Sequence, residues 1–228
     1  MSDHEMPTPS EEGNDAEPTT SSLETAVRRS ASRLQEQYLG RRGDRHQAEA
    51  RGRLAELRRH AGFTPMQRPL ALQAVLDSLE PQFVPEDLQY QRNKDEPSPS
   101  EKAAFDAMTL FALHMQSARA PMHIPGRSFG TAMGMLRRGS ASDSLKLRFD
   151  ALLASRDERS RLTHARSLIT LLRGAGIGFD YGIFARDLRT LSGPHRAGVL
   201  LRWGRDVASA PRREREGDLD GAPAAHAS

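Results

Sequence analysis

The sequence predicts an all-α protein of two packed helical bundles with disordered N- and C-terminal tails. Three observations carry this. Apolar residues recur at helical spacing through the segments between Leu23 and Ala208. Helix starts and stops bracket those segments, with Ser or Asp at the beginnings and Gly or Pro at the ends. No stretch alternates apolar and polar residues convincingly, as a half-buried strand does. The expected division is an acidic tail over 1–22, a first bundle over 23–138, a second over 139–208 and a flexible tail over 209–228.

Met1 to Ser22 is rich in Pro, Ser, Thr, Gly and acids and has almost nothing to bury, so disorder is expected. A helix then starts at Leu23, with Val27, Leu34 and Tyr38 toward the core and Gly40 at its end. Arg41 to Arg45 is a charged loop. The second helix runs from Gln47 to His60, with Leu54 and Leu57 inward and Gly62 as its stop. Its last turn holds Arg58 and Arg59, which also suit the negative end of a helix dipole. Pro65 to Pro69 is a turn, and Leu70 to Leu79 is a short apolar helix closed by Pro81.

The Pro- and acid-rich stretch from Pro81 to Pro99 is expected to be a mobile loop. Ser98 and Glu101 are spaced as a capping box, with Pro99 at the favoured first helical position. The helix that follows reaches about Ala118 and is the most apolar in the chain. Ala104, Phe105, Met108, Phe111, Ala112 and Met115 face its core side, and His114 is expected to be a partly buried packing residue. Pro121 and Pro125 bracket a linker into a helix from about Ser128 to Arg138.

Ser142 to Asp206 reads as four short helices with an arginine-rich outer face. The second of them, Asp157 to Arg173, is preceded by Ser155 and Glu158, spaced as a capping box. Leu162, Ala165, Leu168, Ile169 and Leu172 form its buried stripe. Arg159, Arg166 and Arg173 recur every seven residues, nearly two turns, and form a second stripe about a quarter-turn away. Their guanidiniums repeat roughly every 10 Å along the helix. The third helix begins near Asp180, with Phe184, Leu188 and Leu191 inward. Gly193-Pro194 ends it, and Val199, Trp203 and Val207 line the fourth.

The net charge of +3 hides a segregation. Met1 to Glu24 holds seven acids and no Lys or Arg, whereas Arg119 to Asp206 holds sixteen basic residues against seven acids. Thr25 to His60 is also basic, at ten against four. Cations gathered on particular segments point to a polyanionic partner. Arginine outnumbers lysine 30 to 3, a bias that codon usage also produces.

Several chemistries find no support. There is no cysteine, so neither disulfides nor thiolate metal sites arise. No apolar run approaches the ~20 residues of a membrane span, and the acidic N-terminus is unlike a signal peptide, so a cytoplasmic protein is expected. The eight histidines show no metal-binding spacing. Gly126-Arg127-Ser128-Phe129-Gly130 fits G-x-S-x-G, but that motif acts on a strand-to-helix turn and none is predicted here. The segment reads instead as a glycine-flanked helix start with Ser128 near the N-cap. Gly174 to Gly178 follows a helix, not a strand, and reads as a turn, not a dinucleotide loop. The helices either side of Ser155 have the form of a helix-turn-helix, a form shared by pairs in every bundle.

A set of motifs in order resembles a known family. They are Glu56-Leu57-Arg58-Arg59-His60, Leu110-Phe111-Ala112-Leu113-His114, Gly126-Arg127-Ser128-Phe129-Gly130, Leu147-Arg148-Phe149 and Leu168 to Leu172. After these come Phe179-Asp180-Tyr181, Ala185-Arg186-Asp187-Leu188 and Trp203-Gly204-Arg205-Asp206-Val207. Together, over about Ala26 to Val207, they resemble the CasB family, the small subunit of the type I-E CRISPR surveillance complex, Cascade. The resemblance implies an all-α, two-lobed, non-enzymatic subunit present in two copies. It also implies basic surfaces facing the guide–target duplex and the displaced DNA strand. The contacts it implies are Arg59, Arg148, Arg166 and a basic residue in the His195-Arg196 turn. At Thr131 the family often has arginine; Arg127 or Arg138 is the substitute available at that corner.

The candidate nucleic-acid contacts are therefore Arg58, Arg59, Arg127, Arg137, Arg138, Arg148, Arg159, Arg166, Arg173, Arg196 and Arg202. No catalytic residue, metal ligand or cofactor is expected. The expected partners are other Cascade subunits, guide RNA, target DNA including the displaced strand, and a second copy of the chain, with no membrane. Two other classes use the same sequence features: a free-standing helical DNA-binding regulator, and a structural adaptor that binds no nucleic acid.

Overall fold

Helix starts here are set by side chains that satisfy the free N–H groups of the first turn. In the computed structural model, which describes residues 22–85, 88, 95–139 and 143–211, Ser98 Oγ accepts from Glu101 N at 3.1 Å while Glu101 Oε2 accepts from Ser98 N at 2.6 Å. That is the capping box expected from the sequence, and it opens α4 (Pro99–His114). The other α-helices among the described residues are α1 (Leu23–Tyr38), α2 (Asp44–Arg58), α3 (Pro69–Leu76) and α5 (Phe129–Gly139). They are followed by α6 (Asp143–Ala154), α7 (Glu158–Gly174), α8 (Tyr181–Leu191) and α9 (Arg196–Ser209). Short 3-10 turns cover Pro65–Gln67 and Pro81–Phe83. Among the described residues there is no strand, and an isolated bridge joins His123 to Phe179. The protein is all-α.

One expected cap is replaced. Ser155 does not cap α7; its backbone N–H and its hydroxyl both donate to Ala151 O, at 3.0 and 2.7 Å, and so continue the last turn of α6. Asp157 is the cap, accepting from Ser160 N at 2.8 Å. An ionised carboxylate next to the positive helix end is the better partner for those N–H groups. Ser22, placed in the tail by the sequence, caps α1 by accepting from Thr25 N at 3.2 Å. Other boundaries also differ: α2 runs from Asp44 to Arg58 instead of Gln47 to His60, α3 ends at Leu76 instead of Leu79, and α4 stops at His114, with Ser117 at φ 59 turning the chain away. The tails over 1–21 and 212–228, and much of the loop after Pro85, lie outside the described residues.

α4 is buried on every side from Ala103 to Met115. It packs on α8, α2, α7, α3 and α1. A helix buried on every side, with Asp106, Thr109 and His114 as its polar members, is central to the fold. α1 lies along α8, α5 along α9, and α6 along α7. Apolar side chains from both 23–138 and 139–208 join one cluster. At its centre Phe129, Phe179, Phe184 and Trp203 meet, with ring centroids 5.1–5.3 Å apart from Phe129 to each of the other three. α5 and α9 approach backbone to backbone, because a Cβ built at Gly130 or Gly134 would lie 2.7 Å from Trp203 O or 2.5 Å from Val207 O.

The linker between α4 and α5 is pinned to α1 and to the start of α8. Gln35 Oε1 accepts from Met122 N and His123 N, both at 2.7 Å, and Gln35 Nε2 donates to His123 O. Asp180, fully buried, caps α8 by accepting from Gly182 N at 2.8 Å and also takes Gly126 N at 2.8 Å and Arg28 Nε at 2.9 Å. No helix among the described residues is long and apolar enough to cross a membrane.

Candidate nucleic-acid interface

The apolar stripe of α7 is buried as expected: Leu162, Ala165, Leu168, Ile169 and Leu172 are at most 5% exposed. Its rotation leaves Arg159 and Arg166 in solvent and Arg173 half-buried. Arg166 reaches the turn after α2, where a Cβ built at Gly62 would lie 3.0 Å from Arg166 Nη1. Gly62 has φ +94, so backbone conformation and space both favour glycine there. Arg58 and Arg59 precede that turn, Arg59 exposed and Arg58 half-buried. From α6, Arg148 Nη1 donates to Ser167 Oγ at 3.0 Å, beside Arg166 in sequence. Arg166 thus meets the turn that follows Arg58 and Arg59, and Arg148 of α6 reaches the sequence neighbour of Arg166. Among the described residues, Arg58, Arg59, Arg148, Arg159 and Arg166 form no ion pair.

Five of the six remaining candidate arginines are held by the fold in other places. Arg138 Nη2 donates to Ala208 O at 2.8 Å, Arg196 Nη2 to Leu153 O at 2.8 Å, and Arg173 Nη1 to Gln116 Oε1 at 2.6 Å and Leu113 O at 3.5 Å. Ala208, Leu153 and Leu113 lie in the last turns of α9, α6 and α4, where carbonyls lack intrahelical partners. A guanidinium there supplies both the donor and the favourable charge. Arg127 Nη1 donates to Gly178 O at 3.1 Å, and Arg202 pairs with Asp187 at 2.7 Å. Arg137 is exposed beside an apolar groove lined by Met133, Leu145 and Phe149.

Sequence reasoning missed Arg161, which is only 5% exposed and reaches Leu191 O and Ser192 Oγ, both at 3.5 Å. Burial holds its pKa below the usual arginine value, with Arg196 nearby as a second cause. The signal for it lies in the sequence, since Arg161 stands four residues before Ala165 and seven before Leu168, on the apolar stripe. It also missed Arg28 and Arg186, which share Glu24; Arg186 Nη1 donates to Glu24 Oε2 at 2.7 Å.

Ser128 behaves as a helix cap. Its Oγ accepts from Thr131 N at 3.0 Å and donates to Asp206 Oδ2 at 2.6 Å. Thr131 Oγ1 sits 3.0 Å from the same hydroxyl, inside that network. His114 is fully buried, not partly: its Nδ1 is 2.9 Å from the Tyr181 hydroxyl because α4 is central. Burial, with Arg173 nearby, lowers its pKa to about 3. Among the described residues no group of three or more His, Cys, Asp or Glu is placed to hold a metal.

The class these features define is an all-helical protein in which some arginines tie helix ends together while others, on α6, α7 and the end of α2, form no ion pair among the described residues. Residues 53–206 match the family model of the CRISPR-associated protein Cse2. The chain belongs to this CRISPR-associated Cse2 family. No curated protein sequence matches it. Among solved structures, CasB from Thermobifida fusca is similar, at 28% identity and a TM-score of 0.64, covering 81% of this chain and 97% of that one. A CRISPR-associated protein of the Cse2 family from Thermus thermophilus shares the fold at 24% identity and a TM-score of 0.57, covering 82% and 98%.

Proposed function

We propose that this protein is the non-catalytic small subunit of the type I-E Cascade complex, binding nucleic acid through its arginine faces to hold an R-loop open. Membership of the Cse2 family supports the setting. The observation that carries the chemistry is the meeting of Arg166 with the Gly62 turn, which joins the α7 stripe to the cations ending α2. Guide–target pairing replaces a DNA duplex of similar stability, so modest protein contacts tip the exchange. The displaced strand is the species free to re-anneal. Arginines with no carboxylate partner among the described residues hold its phosphates without reading sequence, and guanidinium geometry suits bidentate phosphate contact.

In this reading Arg58, Arg59, Arg148, Arg159 and Arg166 are the principal contacts, and Arg137 extends the track. Arg127, Arg138, Arg173, Arg196 and Arg202 use part of their donor set within the fold and offer the rest. The partners are the other Cascade subunits, guide RNA, both target strands and a second copy of the chain. The test is R-loop lifetime on matched target DNA at fixed salt, with and without the subunit. Complexes lacking it retain guide RNA but release the R-loop sooner; equal lifetimes refute the mechanism.

A further inference from the structure

We propose that Phe63 is a stacking platform for one unpaired base of a single-stranded nucleic acid whose phosphates lie on Arg59 and Arg166. This rests on the nucleic-acid reading above and adds a contact that arginine alone does not supply. Phe63 is 37% exposed, whereas every other phenylalanine whose side chain is described is at most 8% exposed. It directly follows Gly62, the residue Arg166 packs against.

The ring sits on an ordered turn. Phe63 N donates to His60 O at 3.0 Å, and Thr64 N donates to Gln67 Oε1 at 3.0 Å. The backbone that carries the ring is therefore set before any ligand arrives, which lowers the ordering cost of binding.

The surroundings favour a polyanion over an apolar protein surface. From Leu57 to Leu76 there is no acid, while Arg58, Arg59 and Arg68 are present. The Arg68 guanidinium carbon lies 4.4 Å from the Phe63 ring centroid. Met66 and Leu70, three and seven residues further along the chain, are also exposed. An exposed cation–π contact contributes roughly a two- to fivefold factor. A base stacked on an aromatic contributes roughly five- to hundredfold. A base thus displaces Arg68 from the ring face with a net gain, and the freed guanidinium turns to the adjacent phosphate. The sequence places few aromatics among the arginines, and the expectation from it is little stacking; the fold leaves this one exposed next to the turn that Arg166 meets.

The experiment measures binding of the full-length chain to a labelled oligo-dT and to an abasic oligonucleotide of the same length, across a salt series. Wild type should prefer the base-bearing strand. Phe63→Ala and Phe63→Leu should each lower affinity for oligo-dT about five- to hundredfold, leaving abasic binding and the salt slope unchanged. Phe63→Trp should retain the preference. Wild-type affinity for oligo-dT in both Phe63→Ala and Phe63→Leu overturns the proposal. So does equal weakening toward both oligonucleotides, or intact oligo-dT binding with loss of co-purification with other complex subunits, which would make the patch a protein-docking surface. If wild type binds neither strand, the nucleic-acid reading fails with it; if Arg166→Glu weakens both strands while Phe63→Ala changes neither, only the stacking proposal fails.

Discussion

The indole N–H of Trp203 on α9 donates to Asp187 Oδ2 on α8 at 2.7 Å, and both residues are 1% exposed. Arg202 and Arg186 approach the other carboxylate oxygen at 2.7 and 3.3 Å. The two arginines are each 45% exposed, so their ion pairs add little; the buried indole bond carries most of the effect. Asp187→Ala leaves the indole N–H without a partner and should destabilise the fold by about 2–3 kcal/mol. Urea denaturation checks this, and a change under ~0.5 kcal/mol, the scale of an ordinary surface substitution, would contradict it.

The exposed arginines separate binding from folding. Arg59→Glu, Arg148→Glu and Arg166→Glu should each weaken DNA binding and flatten the log–log salt dependence by about 0.7–0.9 for every phosphate no longer neutralised. Their melting temperatures should stay close to wild type, because exposed arginines contribute little to stability. Arg196→Glu should behave differently and lose stability as well, since its Nη2 closes the end of α6 at Leu153 O. Salt titrations and thermal melts on the same four variants distinguish the two kinds of arginine.

Glycines predict opposite signs by position. Gly134→Ala would place its Cβ 2.5 Å from Val207 O and 2.4 Å from Ala210 Cβ, where the backbone of α9 cannot yield locally. Overpacking of this kind costs about 1–3 kcal/mol, more than the ~1 kcal/mol that alanine gains in helix propensity. Gly204→Ala on α9 meets nothing within 4 Å and should stabilise by about 0.5–1 kcal/mol. Thermal unfolding that raised both variants alike would rule out the close α5–α9 approach.

Acid should destabilise the protein from about pH 6.5 downward. Burial lowers His114 to about 3, and lowers His123 to about 4 with Arg28 assisting and Asp180 opposing. Both are neutral in the fold. The unfolded chain takes up these protons below its ordinary histidine pKa of ~6.5, while the folded chain does not until pH nears those lowered values. Stability present above pH 6.5 is therefore lost as pH falls toward about 4 and 3, by up to about 2 kcal/mol per histidine at pH 5. Asp106 acts in the other direction: burial raises its pKa well above the ordinary value, so its contribution favours the fold at lower pH. His114→Gln should flatten the stability–pH slope between pH 6.5 and 4; an unchanged slope would remove His114 as a cause.

Local chemistry was readable from the chain because it depends on near neighbours. The Ser98–Glu101 box, the Asp180 helix start, the Gly62 stop and the buried stripe of α7 all involve residues within a few positions of each other, and each stands as the sequence predicts. The same reasoning failed between Ser155 and Asp157, where two nearby side chains compete and only the course of the preceding helix decides. What tertiary structure alone decided is which arginine does what. Arg166 and Arg173 repeat identically along α7, yet one meets the Gly62 turn and the other closes on Leu113 of α4 and on Gln116 just beyond it. Helical period sets the direction in which a side chain leaves its own helix. It does not set which helix end lies there, because that follows from the packing of segments far apart in the chain. The exposed aromatic has the same origin: Phe63 is one phenylalanine among eight in the sequence, and only the fold leaves it exposed beside Arg68 and next to the turn that Arg166 meets.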